Sequence, residues 1–194
     1  MSYGCQADMF GIDIAGLCDI QAFDLNLNPF WTEISVPETL IIPSQKPCIE
    51  QINSVNISAN IVRKKVIITP RSPVTGTAFI TNYAGVVVTG RKLIVEGQLC
   101  QTVTYTAEVP EQTVHSVHFV VPFSAYIVIP QFITIGTGPD AKSVDTQLIN
   151  FQVNVCVEDL FIKEFRDRYI FKNVTLLLQA VPAPTAGAEC LSEL

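Results

Sequence analysis

This 194-residue chain has no basic surplus, no metal-ligand spacing and no clear helical period, and each absence removes a class of function. Its twelve Lys and Arg are scattered among eighteen Asp and Glu, for a net charge of −6. A nucleic-acid partner needs a basic patch to neutralise phosphates, so none is expected. Histidine is scarce. His115 and His118 are the only two, and a spacing of three sets them on opposite faces of a strand, where they cannot share a metal. No two of the six cysteines lie close together, so there is no C-x-x-C pair for zinc or dithiol exchange. The opening "MSYGCQADMF" lacks the basic and apolar regions of a secretory signal, so synthesis without export is expected. No convergent set of titratable groups is visible, and the chain is read as a non-enzyme without cofactor or metal.

One long uncharged run does occur, "FVVPFSAYIVIPQFITIGTG" at 119–138. It is long enough to cross a bilayer, but Pro122 and Pro130 interrupt it, and β-branched and aromatic residues fill it. It reads as buried β-structure, with no membrane contact.

Strand patterns dominate the rest. Along 92–106, Leu93, Val95, Leu99, Val103 and Tyr105 share one face with Gly97, while Glu96, Gln98, Cys100, Thr102, Thr104 and Thr106 share the other. Similar segments fall near 52–62, 64–69, 76–88, 112–121, 123–135, 144–157 and 169–181, separated by turn-forming stretches such as "TPRSPVTG", "AEVPEQ" and "GTGPDAKS". Only "VEDLFIKEFRDR" at 157–168 is ambiguous between a helix and a bent strand. About eight short strands predict an all-β fold, a β-sandwich or jelly-roll-like (open-barrel) domain with irregular N- and C-terminal tails. The expected organisation is an N-terminal segment 1–35, a candidate connector between subunits, then one β domain at 36–181 and a flexible tail at 182–194.

"GTGPDAKS" (136–143) nearly spells a phosphate loop. Ala141 stands where a glycine is needed, Pro139 removes an amide, and a strand pattern follows in place of the helix such a loop must open. A hairpin loop is expected instead. The interleaved charges Glu158, Asp159, Lys163, Glu164, Arg166, Asp167 and Arg168 read as a solvated, self-paired surface.

The cysteines are more informative. Cys5 and Cys190 lie in the tails, Cys18 in the irregular N-terminal segment and Cys48 in a loop, "SQKPCIE". Cys100 and Cys156 fall on the polar phase of strand patterns, although free cysteine is normally among the most buried residue types. One reading is a reduced intracellular protein with incidental thiols. The sharper reading makes Cys5, Cys18, Cys48, Cys100, Cys156 and Cys190 candidates for disulfides between subunits, with tails of one copy joined to strand faces of the next. Disulfides need an oxidising setting, which sits uneasily with the absence of an export signal.

"TGRKLIVEGQLCQTVTYTAEVPEQTVHSVHFVVPFSAYIVIP" (89–130) resembles the SPOCS-type domain of endospore-forming bacteria, mainly clostridia and relatives. Glu96-Gly97 in a basic-led strand, Tyr105 at its end and Pro122-Phe123 in the next strand carry the resemblance. "IPSQKPCIEQINSVNISANIV" (42–62) and "VEDLFIKEFRDRYIFKNVTLLL" (157–178) fit the same pattern, which covers roughly residues 40–180. The resemblance implies a protein of the spore coat, exosporium or spore appendages with no catalytic residues. It also implies synthesis in the mother-cell cytosol and oxidation after lysis, which reconciles disulfides with the missing signal. The expected function is a self-assembling structural subunit of the spore surface, its partners being copies of itself and other spore-coat proteins. The alternative is a monomeric adaptor that docks another coat-morphogenesis protein.

Overall fold

In the computed structural model, which describes residues 11–71, 74–75, 78–79, 88–136 and 138–183, two sheets face each other across one apolar core. The first sheet contains β1 (Asp13–Ala15), β3 (Ile49–Arg71), β6 (Thr89–Ala107) and β7 (Val114–Val128), in the order β1-β3-β6-β7. The second contains β2 (Trp31–Ile41), β10 (Asn150–Arg166) and β11 (Tyr169–Ala183), in the order β10-β11-β2. Two small hairpins complete the set: β4 (Val74–Thr75) with β5 (Ala78–Phe79), and β8 (Phe132–Ile135) with β9 (Lys142–Asp145). The all-β sandwich expected from the strand patterns is what the chain forms.

β6 shows why. Its alternation places Leu93, Val95, Leu99, Val103 and Tyr105 inside, all at most 2% exposed. Burying one large apolar side chain stabilises by roughly 1.5–3 kcal/mol. A register slip of one residue would expose the whole row, so the inward phase is strongly fixed. Gly97 belongs to this row because the space where a Cβ would project is taken by the Phe123 ring and by the Asn60 carbonyl oxygen, 2.6 Å away. The Tyr105 hydroxyl donates to the Pro47 carbonyl at 3.1 Å, so the polar tip of this buried ring is satisfied.

Residues 157–166 form the end of β10 and 167–168 the turn into β11, so no helix forms here. Register shifts fall between Val157 and Asp159 and between Glu164 and Arg166. A bulge inserts one residue into the strand, so the inward row passes from Val157 to Leu160 and Ile162. That three-residue step imitates helical spacing. Pro37 and Pro122 lie within β2 and β7, the outer strands of their sheets, where a missing N–H costs no ladder bond. The 136–143 loop joins β8 to β9 as a hairpin, with Gly136 and Gly138 at φ +88° and +61°. The strand expected at 76–88 falls mostly outside the described residues.

The N-terminal segment departs from expectation. Its described part, residues 11–30, is strapped onto its own sandwich. β1 pairs in parallel with Ser54–Asn56 of β3, and three residues later the Cys18 amide donates to the Val157 carbonyl of β10 at 3.0 Å. The strap therefore bonds to one edge of each sheet. It then crosses the outer face of the second sheet, where the Gln179 amide donates to the Asp24 and Asn28 carbonyls at 2.9 and 3.2 Å. β2 begins at Trp31, so a boundary at residue 35 would cut through a strand.

Gly16 is the hinge of this strap. Its φ is +102°, and a Cβ there would meet the Ile57 carbonyl group, whose carbon lies 2.9 Å away. Gly16→Ala is expected to lower stability by roughly 1–3 kcal/mol through backbone strain alone, with the steric contact adding to it. A urea melt of the variant checks this; an unchanged midpoint would mean that the strap contributes nothing to folding.

Candidate functional site

Three of the strap's neighbours, Cys156, Leu177 and Gln179, point away from the core yet are at most 2% exposed. The strap covers them, and here the cysteine reading needs correction. Cys18 and Cys156 form a disulfide within one chain, with Cα atoms 5.5 Å apart. Cys156 lies on the outer phase of β10, as its position in the alternation requires, but that face is not wet. The thiol of Cys156 points outward because its partner is the chain's own strap and not a second subunit.

Cys48 and Cys100 are free and half-buried. Cys100 sits on the outer face of β6, between Ser58 of β3 and Val120 of β7, and Asn60 Nδ2 donates to its sulfur at 3.6 Å. Val120 beside it is 63% exposed, so nothing among the described residues covers this row. Cys48 lies at one end of the sandwich, just before β3. Its carbonyl accepts from the Glu108 amide at 3.0 Å, and Arg168 holds the same turn through the Pro43 and Lys46 carbonyls. Cys5 and Cys190 lie outside the described residues.

His118 and His115 point to opposite faces of β7. The first shares a hydrogen bond with Thr102 Oγ1 at 2.8 Å, and the second stacks on Tyr105 at 5.8 Å. Among the described residues no group of three or more His, Cys, Asp and Glu could hold a metal ion. Of the acidic side chains near 157–168, Glu158 is held above the usual carboxylate range by burial and then by Glu33, and Glu164 by burial and then by Asp167 and Glu108.

Sequence reasoning missed Lys172. It lies in the inward row of β11 between Ile170 and Val174, fully buried, with Nζ 3.8 Å from Glu38 Oε2 of β2. Burial pulls its pKa down, and Glu38 opposes that only in part. The signal was available: "YIFKNVTLLL" places Lys172 in phase with Ile170, Val174 and Leu176.

The profile of the SipL SPOCS domain matches residues 48–162, more than half of the chain. The chain belongs to the SipL SPOCS-domain family. The match starts at Cys48 and ends at Ile162, so it spans β3 to β9 and most of β10. The strap, β2 and β11 of this SPOCS protein lie outside it. No curated protein and no solved structure matches the chain. The family is structural and spore-related and is not known for enzymes, and no helix among the described residues is long and apolar enough to cross a membrane.

Proposed function

We propose that this SPOCS protein is a structural subunit of the endospore surface, in coat, exosporium or appendage, that assembles with copies of itself and is hardened by disulfides between them. The observation that supports this most is Cys100, a free thiol on an uncovered β-face. Cys48, also free, sits just before β3 at one end of the same sheet. These two, with Cys5 and Cys190, make up the cross-linking set. Cys18 and Cys156 leave it because they satisfy each other. Each new bond would join two thiols, with oxygen taking up two electrons and two protons once the protein leaves the reducing cytosol.

The test is negative-stain electron microscopy of the purified chain, with boiled gels run with and without reductant. Ordered fibres or sheets, and a high-mass ladder that reductant collapses, are the expected result. Cys100→Ser should thin that ladder without changing the melting of the domain. A uniform monomer, identical on both gels, would overturn the reading in favour of an adaptor that docks another coat protein.

A further inference from the structure

The charges of this chain are separated in space as well as in sign. Arg63, Lys64 and Lys65 are consecutive and exposed on β3. β1 pairs only with Ser54–Asn56, so beyond Asn56 the outer edge of β3 has no neighbouring strand among the described residues. Arg63 reaches Glu96 at 3.4 Å, whereas Lys64 and Lys65 have no ion pair among the described residues. An unpaired strand edge offers backbone donors and acceptors as well as charge.

The outer face of the second sheet is opposite in sign. Glu33 of β2 and Asp159 of β10 both project outward beside the strap, which adds Asp19 and Asp24. Among the described residues none of these four, nor Glu158, forms a salt bridge. Glu158 and Glu33 also repel each other, which raises the Glu158 pKa on top of its burial. A cation brought to this face would relieve that repulsion; Lys163 lies farther along the same face of β10 but, among the described residues, forms no salt bridge with any of these groups.

We infer that the basic edge of β3 around Lys64 and Lys65 docks on the acidic strap-bearing face, Glu33 to Asp159, of a second copy of this chain. This rests on the self-assembly reading above and gives it a direction. The two patches are different surfaces, so each copy uses both at once, and the contact is heterologous. Repeating it builds an open chain, not a closed pair. Opposite potentials steer such an encounter and fix its register, and salt screens them over about 8 Å at physiological ionic strength. The polymer is therefore salt-sensitive until covalent links form.

Sedimentation velocity without reductant, on protein whose free thiols have been alkylated so that the Cys18–Cys156 bridge stays closed, tests this on four samples. These are the parent, Lys64→Glu/Lys65→Glu, Glu33→Lys/Asp159→Lys, and a mixture of the two variants. All four substituted side chains are exposed. The parent should associate at low salt and lose roughly tenfold or more in association as sodium chloride rises from about 50 mM to about 500 mM. Each variant alone should stay monomeric, and mixing them should restore association. A variant that melts below the parent is replaced by its neutral form, Lys64→Gln/Lys65→Gln or Glu33→Gln/Asp159→Asn, for which weakened association is expected. If the parent associates and the variants associate equally well, this docking is wrong while the subunit reading stands. If the parent stays monomeric at every salt concentration, both fall.

Discussion

Cys18→Ser is expected to lower the free energy of unfolding by about 4–5 kcal/mol. The bridge closes a loop spanning a sequence separation of 138, and the chain-entropy cost of opening such a loop approaches the upper end of what a disulfide contributes. Local effects act in the same direction. Without the bond the strap keeps three β1 pairings, the Cys18 amide bond, the Gln179 contacts and the packing of Ile12, Ile14 and Leu17 on the core. Loss of the strap would also uncover Leu177 and the Cys156 side chain. The parent in reductant should therefore melt in urea close to the Cys18→Ser variant, and amide exchange should quicken first in residues 13–30. A shift of less than about 1 kcal/mol would mean that the strap is held by its other contacts and that the bridge is incidental.

The second large effect is an asymmetry at the Lys172–Glu38 pair. Lys172 is fully buried, whereas the Glu38 side chain is 37% exposed. Truncating Glu38 to Ala strands an ammonium in the core, and breaking a buried pair in this way costs about 3 kcal/mol or more. Removing the lysine leaves a carboxylate whose side chain is partly in water, with only its Oε2 buried. Lys172→Met should therefore be neutral or stabilising, by about 1 kcal/mol. The urea midpoint should fall for Glu38→Ala and stay level or rise for Lys172→Met, and equal losses would contradict the argument. The pH dependence has a definite sign. The folded Lys172 pKa is lowered below its ordinary value, so at high pH, between the folded and unfolded values, the unfolded chain binds more protons. Stability contributed by this group accordingly rises with pH through that window, and Lys172→Met should flatten the rise.

How much of this was legible in the sequence depends on how local the cause was. β6 could be read residue by residue because its burial follows a period of two without interruption. β2 escaped because its inward row, Thr32, Ile34, Val36, Glu38 and Leu40, includes a hydroxyl and a charge, and Pro37 interrupts it. β3 read as two segments because its register shifts between Ile61 and Arg63, while β7 runs unbroken through Pro122 where a break was expected. Cys156 is the clearest case of a non-local cause. Its strand phase was right, but what covers that face is encoded more than a hundred residues earlier, and no window around Cys156 contains it. Lys172 was legible in principle, since a cation in the inward phase of an apolar row must be buried or must bend away.

The strap also sets an order in time. Cys18 leaves the ribosome long before Cys156, at the opposite end of a sequence separation of 138, and β3, its other anchor, is made between them. The first part of the chain to be synthesised is thus among the last to be fastened. Until β10 emerges, residues 11–30 have only half of their seat, the edge of β3, for an interval of seconds at about 5–20 residues per second. Neighbouring nascent chains on one message would meet each other in that interval with the strap unfastened at its second anchor. Closure of the strap ends it, and afterwards each chain meets its neighbours only through its finished surface.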